Sequence, residues 1–157
     1  MTSPRAATPV RWGILGTANI AVRQVVPATQ LSPICSVLAI ASRDVQKARN
    51  AAEFLNIPRA YGSYEALIDD PDIEAIYNPL PNHLHVPWTI RAAEKGKHVL
   101  CEKPIALNAR EAEQLLEVQN HTGVQIAEAF MVRTHPQWLA ARDLVANGRI
   151  GELRLIN

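Results

Sequence analysis

Short apolar runs alternate with longer segments whose apolar positions recur every three or four residues, almost from one end of the chain to the other. The short runs predict strands at Val10–Leu15, Ser36–Ser42, Arg59–Tyr61, Ala75–Asn78, His98–Cys101, Val124–Ala129 and Glu152–Asn157. The periodic segments predict helices over Ile20–Thr29, Val45–Leu55, Tyr64–Ile68, Leu84–Glu94, Ala109–His121 and Pro136–Ala146. Asp44 and Asn108 stand at N-cap positions, where a short side-chain acceptor satisfies the first free N–H groups of a helix. Gly96, Gly123 and Gly148 stand where helices must end and reverse. Strands alternating with helices build right-handed βαβ units, so the expected fold class is α/β, a doubly wound parallel sheet with helices on both faces.

Such sheets bind ligands outside the carboxyl ends of their strands, which directs attention to the residues after each strand. After the first comes Gly16-Thr17-Ala18-Asn19-Ile20-Ala21, which fits the dinucleotide fingerprint G-x-G-x-x-G/A except that Ala18 replaces the middle glycine. Gly16 makes the tight turn, and the following helix start offers free N–H groups to a phosphate. After the second strand come Ser42, Arg43 and Asp44. A hydroxyl and a guanidinium there suit a ribose 2′-phosphate, which points to NADP, with NAD the lesser fit. After the fourth comes NPLPNHLHVPW (Asn78–Trp88), a proline-stiffened loop in which Asn82 is a candidate N-cap. His83 and His85 form an HxH pair, but positions two apart on a helix diverge, and no carboxylate has ligand spacing with them. No metal site is expected.

Composition narrows the field. The chain has 157 residues, 48% hydrophobic and 20% charged with a net charge of +1, which suits one folded domain and no nucleic-acid or membrane surface. No apolar run approaches the roughly 20 residues of a membrane span. The stretch 1–9 reads as a disordered lead-in without the apolar centre of a signal peptide. Cys35 and Cys101 lie in separate apolar segments, which predicts reduced, buried thiols and a cytoplasmic location.

The fifth strand carries the most specific signal. HVLCEKPIAL runs from a buried strand into Glu102 and Lys103, which emerge at the functional edge, and then into Pro104. Together with GILGTANIA, PLPNHLHVPWTIRAAEKGKHVLCEKPIALN and AEAFMVRTHPQW, this stretch resembles the glucose–fructose oxidoreductase / inositol dehydrogenase / rhizopine-catabolism (Gfo/Idh/MocA) family, over roughly Arg11 to Asn157. Within it, the branch holding glucose–fructose oxidoreductase, xylose dehydrogenases and dihydrodiol dehydrogenase is the more similar.

The resemblance implies a Rossmann-type domain over 10–130 and an oxidoreductase that moves a hydride between NADP or NAD and a sugar, polyol or related hydroxyl substrate. Lys103 matches the family's catalytic lysine, which contacts the substrate hydroxyl and the nicotinamide ribose. Glu102 orients the nicotinamide side, and Lys103–Pro104 is expected to be cis. Pro81, Asn82 and His85 match a P-N-x-x-H loop beside the cofactor, while Arg133 and His135 match a motif bordering the substrate pocket. The resemblance also implies that 131–157 opens a second, substrate-binding and oligomerising domain that is mostly absent, and a homo-oligomer at full length. Two alternatives stay open: a non-catalytic dinucleotide-binding regulator, and an assembly module with no cofactor, for which Ala18 is the best support.

Overall fold

The computed structural model describes residues 8–155. Six parallel strands form one sheet in the order β3-β2-β1-β4-β5-β6. They are β1 (Val10–Leu15), β2 (Cys35–Ala41), β3 (Arg59–Tyr61), β4 (Ala75–Asn78), β5 (His98–Glu102) and β6 (Ile126–Ala129). The order reverses beside β1, so β1 and β4 flank the switch point at which such sheets take their ligands.

The two faces of the sheet carry separate cores. Leu15, Ala39, Ala41, Ile76, Val99 and Cys101 pack on one face with Tyr64, Leu67 and Ile68 of α3 (Tyr64–Ile68) and Ala92 of α4 (His85–Glu94). Ile14, Val37, Ile40 and Tyr77 pack on the other with Val26 of α1 (Val26–Gln30) and Ala52 and Leu55 of α2 (Val45–Leu55). The strict alternation of neighbours, Ile14 one way and Leu15 the other, follows from the period of two along a strand. The expected fold class is therefore the observed one. Asp44 caps α2 by accepting from Gln46 N–H and Lys47 N–H at 2.9 and 3.2 Å. Asn108 caps α5 (Ala109–Thr122) by accepting from Glu111 N–H at 3.0 Å.

Several expectations need correction. The first helix is not one regular unit: a π-helical turn at Ala21–Val25 precedes α1, and Val26 N–H donates to the carbonyl of Ala21, five residues back. Pro27 has no N–H to continue an ordinary ladder, so the wide turn passes the helix over it. Asn82 caps nothing with its side chain. It opens a 3₁₀ turn (Asn82–Leu84), and α4 starts at His85. β6 begins at Ile126 rather than Val124, and β2 ends before Ser42. Residues 152–155 form no strand, since among the described residues no neighbour pairs with them; Ile156 and Asn157 lie outside the described residues, as does the lead-in over 1–7. α6 (Pro136–Ala146) forms as expected, with no buried residue.

Cys35 and Cys101 are both free. Burial pushes the Cys101 thiol up to about 12, so it stays protonated and inert at mildly alkaline pH. A thiol reagent is expected to modify Cys101 only once denaturant is added. Peptide mass mapping checks this, and labelling of the native protein would show that the sheet opens there.

Candidate functional site at the carboxyl edge

The carboxyl ends of the strands carry two cavities, one on either side of the switch point. The first, about 480 Å³, is lined by Gly16, Thr17, Ala18, Ser42, Arg43, Lys47, Tyr64, Pro79, Leu80 and Pro81. The Gly16 N–H donates to Ala41 O at 2.7 Å, and the residue holds φ +83°, a conformation that a side chain disfavours. A Cβ there would also stand 3.0 Å from Leu80 Cδ2, so the glycine permits both the turn and the close approach of the proline loop. Ser42 is buried and its hydroxyl accepts the Asp44 N–H at 3.3 Å, leaving Arg43 exposed beyond it. Because Asp44 faces the start of α2, the charges lining this cavity are the two cations Arg43 and Lys47. Lys47, on the first turn of α2, was not singled out from the sequence.

The second cavity, about 660 Å³, is lined by Ile20, Gln24, Tyr77, Glu102, Lys103, Glu128 and Arg133, among others. The Tyr77 hydroxyl donates to Glu102 Oε1 at 2.6 Å, and Glu102 Oε2 accepts the Lys103 N–H at 3.2 Å. Burial, with Glu102 beside it, holds the Tyr77 phenol well above the usual tyrosine range, so Tyr77 acts as a fixed donor that aims the carboxylate. Glu128 Oε1 accepts the Ile105 N–H at 2.9 Å and pins the turn from the other side. Lys103 itself is exposed, and no salt bridge among the described residues involves it. The Lys103–Pro104 bond is cis, as expected. An ammonium thus stands at the cavity mouth on a turn tied by two carboxylates.

The remaining candidates divide. Arg133 lines the second cavity; His135 is on the surface, with Nδ1 accepting the Gln137 N–H at the start of α6. Asn19 and Asn82 are exposed and line neither cavity. His85 is buried behind both cavities, its ring nitrogens facing main-chain carbonyls. Among the described residues no group of three or more His, Cys, Asp or Glu could hold a metal ion. Among the described residues no helix is long and apolar enough to cross a membrane.

The comparisons with known proteins agree with this architecture. A family model described as an oxidoreductase family with an NAD-binding Rossmann fold matches residues 10–130. An uncharacterized oxidoreductase of Rhizobium meliloti is 56% identical over 147 residues, 94% of this chain and 44% of that protein. A D-xylose 1-dehydrogenase (NADP(+)) of Haloferax volcanii is 49% identical over 136 residues, 87% of this chain and 42% of that protein. Among solved structures, a 3-ketoreductase from Actinomadura kijaniata in complex with NADP and TDP-benzene superposes with a TM-score of 0.89 at 39% identity, over 94% of this chain and 45% of that one. The chain thus spans less than half the length of these relatives. With its sheet order, its glycine turn and 121 consecutive residues from 10 to 130 matched, the chain belongs to the Gfo/Idh/MocA oxidoreductase family, on the NAD-binding Rossmann side.

Proposed function

We propose that residues 10–130 bind NADP along the carboxyl edge of the sheet and that, in the whole protein, Lys103 handles the proton while a hydride moves to or from a sugar or polyol carbon. The observation that carries the reading is the pairing of two cavities around the switch point, one lined by Arg43 and Lys47 and the other by Lys103 and the Tyr77–Glu102 pair. The residues present fit a dinucleotide. The Gly16 turn brings main chain to the cleft floor, with Thr17, Ala18, Asn19 and Ile20 following at the helix start. Ser42 fixes the next turn, Pro81 lines the far lip with Asn82 following it outside the cavity, and the two cations Arg43 and Lys47 suit a 2′-phosphate.

A bound nicotinamide supplies the hydride acceptor or donor. Lys103, which makes no salt bridge among the described residues, then holds or releases the proton of the reacting hydroxyl. Glu102, held by Tyr77, orients the turn, and Arg133 with the segment after β6 borders the substrate side. We assign 131–157 to the beginning of the substrate unit. Self-association and a cytoplasmic location of the whole protein are part of the same reading; the two free thiols favour the latter.

Thermal unfolding of this chain with each nucleotide tests the assignment. At 100 times the dissociation constant, specific binding adds about 2.7 kcal/mol. Arg43→Ala and Lys47→Ala are each expected to weaken NADP binding about tenfold or more, the scale of one charge-assisted hydrogen bond, and to leave NAD binding unchanged. Equal response to NAD and NADP, or equal losses for both in the variants, would overturn the 2′-phosphate assignment. Binding with no turnover of any aldose or polyol by the whole protein would turn the reading to a dinucleotide-binding regulator.

A further inference from the structure

His85 is the first residue of α4 and only 1% exposed. Its Nδ1 lies 2.7 Å from the carbonyl oxygen of Pro104, and its Nε2 lies 2.6 Å from that of Leu80. Carbonyl oxygens only accept, so both contacts are hydrogen bonds only when both ring nitrogens carry a proton. Either neutral tautomer would set a nitrogen lone pair against an oxygen lone pair at one of the two contacts, on a ring that is itself almost fully buried.

The two carbonyls belong to different arms of the cleft. Leu80 lines the cavity with Arg43 and Lys47, and Pro104 directly follows Lys103 of the other cavity. The frame around the ring is equally fixed: fully buried Asn78 donates Nδ2 to the His85 carbonyl at 3.1 Å and to Thr89 Oγ1 at 3.2 Å, while its Oδ1 accepts the Leu80 N–H at 3.3 Å. We propose that a doubly protonated His85 latches the proline loop to the Lys103 turn and is a positioning residue that sets the spacing of the two cleft arms. This inference rests on the dinucleotide reading above.

Of the ionisable groups on the neighbouring elements, Cys101 on β5 is a neutral thiol, Glu102 accepts from Tyr77, Glu128 accepts from Ile105, and Glu111 of α5 accepts from Leu107. Lys103 lines the cavity. None of these groups hydrogen-bonds the ring among the described residues, where its partners are the Leu80 and Pro104 carbonyls.

Nitrogen NMR of the ring in the ligand-free chain is the direct test. Both His85 nitrogens, each facing a carbonyl oxygen, are expected at protonated shifts. One unprotonated His85 nitrogen would overturn the latch. In a second arm, His85→Gln, which keeps one donor but cannot span both carbonyls, is expected to weaken NADP and NAD binding alike by tenfold or more. Unchanged affinity for both nucleotides in a folded variant would overturn the positioning role. If the variant does not fold, the wild-type ring signals still decide. If the wild-type chain binds neither nucleotide, the cofactor reading fails, and the ring signals answer for the latch independently.

Discussion

Replacing Lys103 by alanine is expected to slow hydride transfer in the whole protein by a factor of ~10²–10⁴, the range a positioned proton-transfer group contributes. NADP binding should survive, falling by no more than about tenfold, because Arg43, Lys47 and the Gly16 turn remain. Lys103→Arg should be nearly as slow: it keeps a cation on the turn but cannot give up its proton. Nicotinamide absorbance across a panel of aldoses and polyols gives the rate, and a nucleotide titration of the same variants gives the affinity. A rate within a few-fold of wild type in Lys103→Ala would remove the lysine from the chemistry. The geometry makes the prediction sharp. Glu102 is engaged by Tyr77 and Glu128 by the Ile105 N–H, so neither carboxylate is free to take over the proton.

Gly13→Ala is expected to destabilise the fold by about 1–3 kcal/mol, the cost of overfilling a packed core. A Cβ at Gly13 would stand 2.6 Å from Leu67 Cδ2 and 3.2 Å from both Ile73 Cγ2 and Ile76 Cδ1. All three neighbours are buried to 3% exposure or less, so none can swing into solvent. The β1–β2 register also shifts between Trp12 and Gly13, which leaves the strand little freedom to move aside. At about 2–4 °C per kcal/mol for a chain of this size, the melting temperature should fall by several degrees. An unchanged melting temperature would mean that α3 can retreat from the sheet.

The strands were legible wherever a run of alternating apolar residues met a partner. β1, β3 and β4 fall on their expected bounds, and Glu102 extends β5 by one residue because Ala129 of β6 lies opposite it. The same pattern over 152–155 makes no strand, since pairing is a property of neighbours that a single run does not encode. The π-helical turn was hidden because Pro27 sits at a helix-compatible φ and does not disturb the apolar period. In the site, Gly16, Arg43 and Lys103 could be read because each directly follows a strand or opens the turn beyond it. Lys47 reads as a solvated helix residue until α2 is set beside β1, and Tyr77 reads as core until its hydroxyl meets Glu102. Lys97 is the plainest omission: its ammonium is buried and donates to the Asp70 and Ile73 carbonyls at 2.8 Å each. Nothing local distinguishes it from an ordinary surface lysine, because its partners lie more than 20 residues away.

The strand order has a consequence for how the chain comes into being. β1 is the first of these six strands to be synthesised, and it lies between β2 and β4. One flank closes early against β2, but the other waits for β4, where Arg11 meets Glu74 across 63 residues. At a ribosome adding ~5–20 residues per second, the edge of β1 facing β4 stands open for about 3–13 s. For that interval Trp12 and Ile14 lie on an unpaired strand edge, the kind of surface that recruits chaperones or another nascent chain.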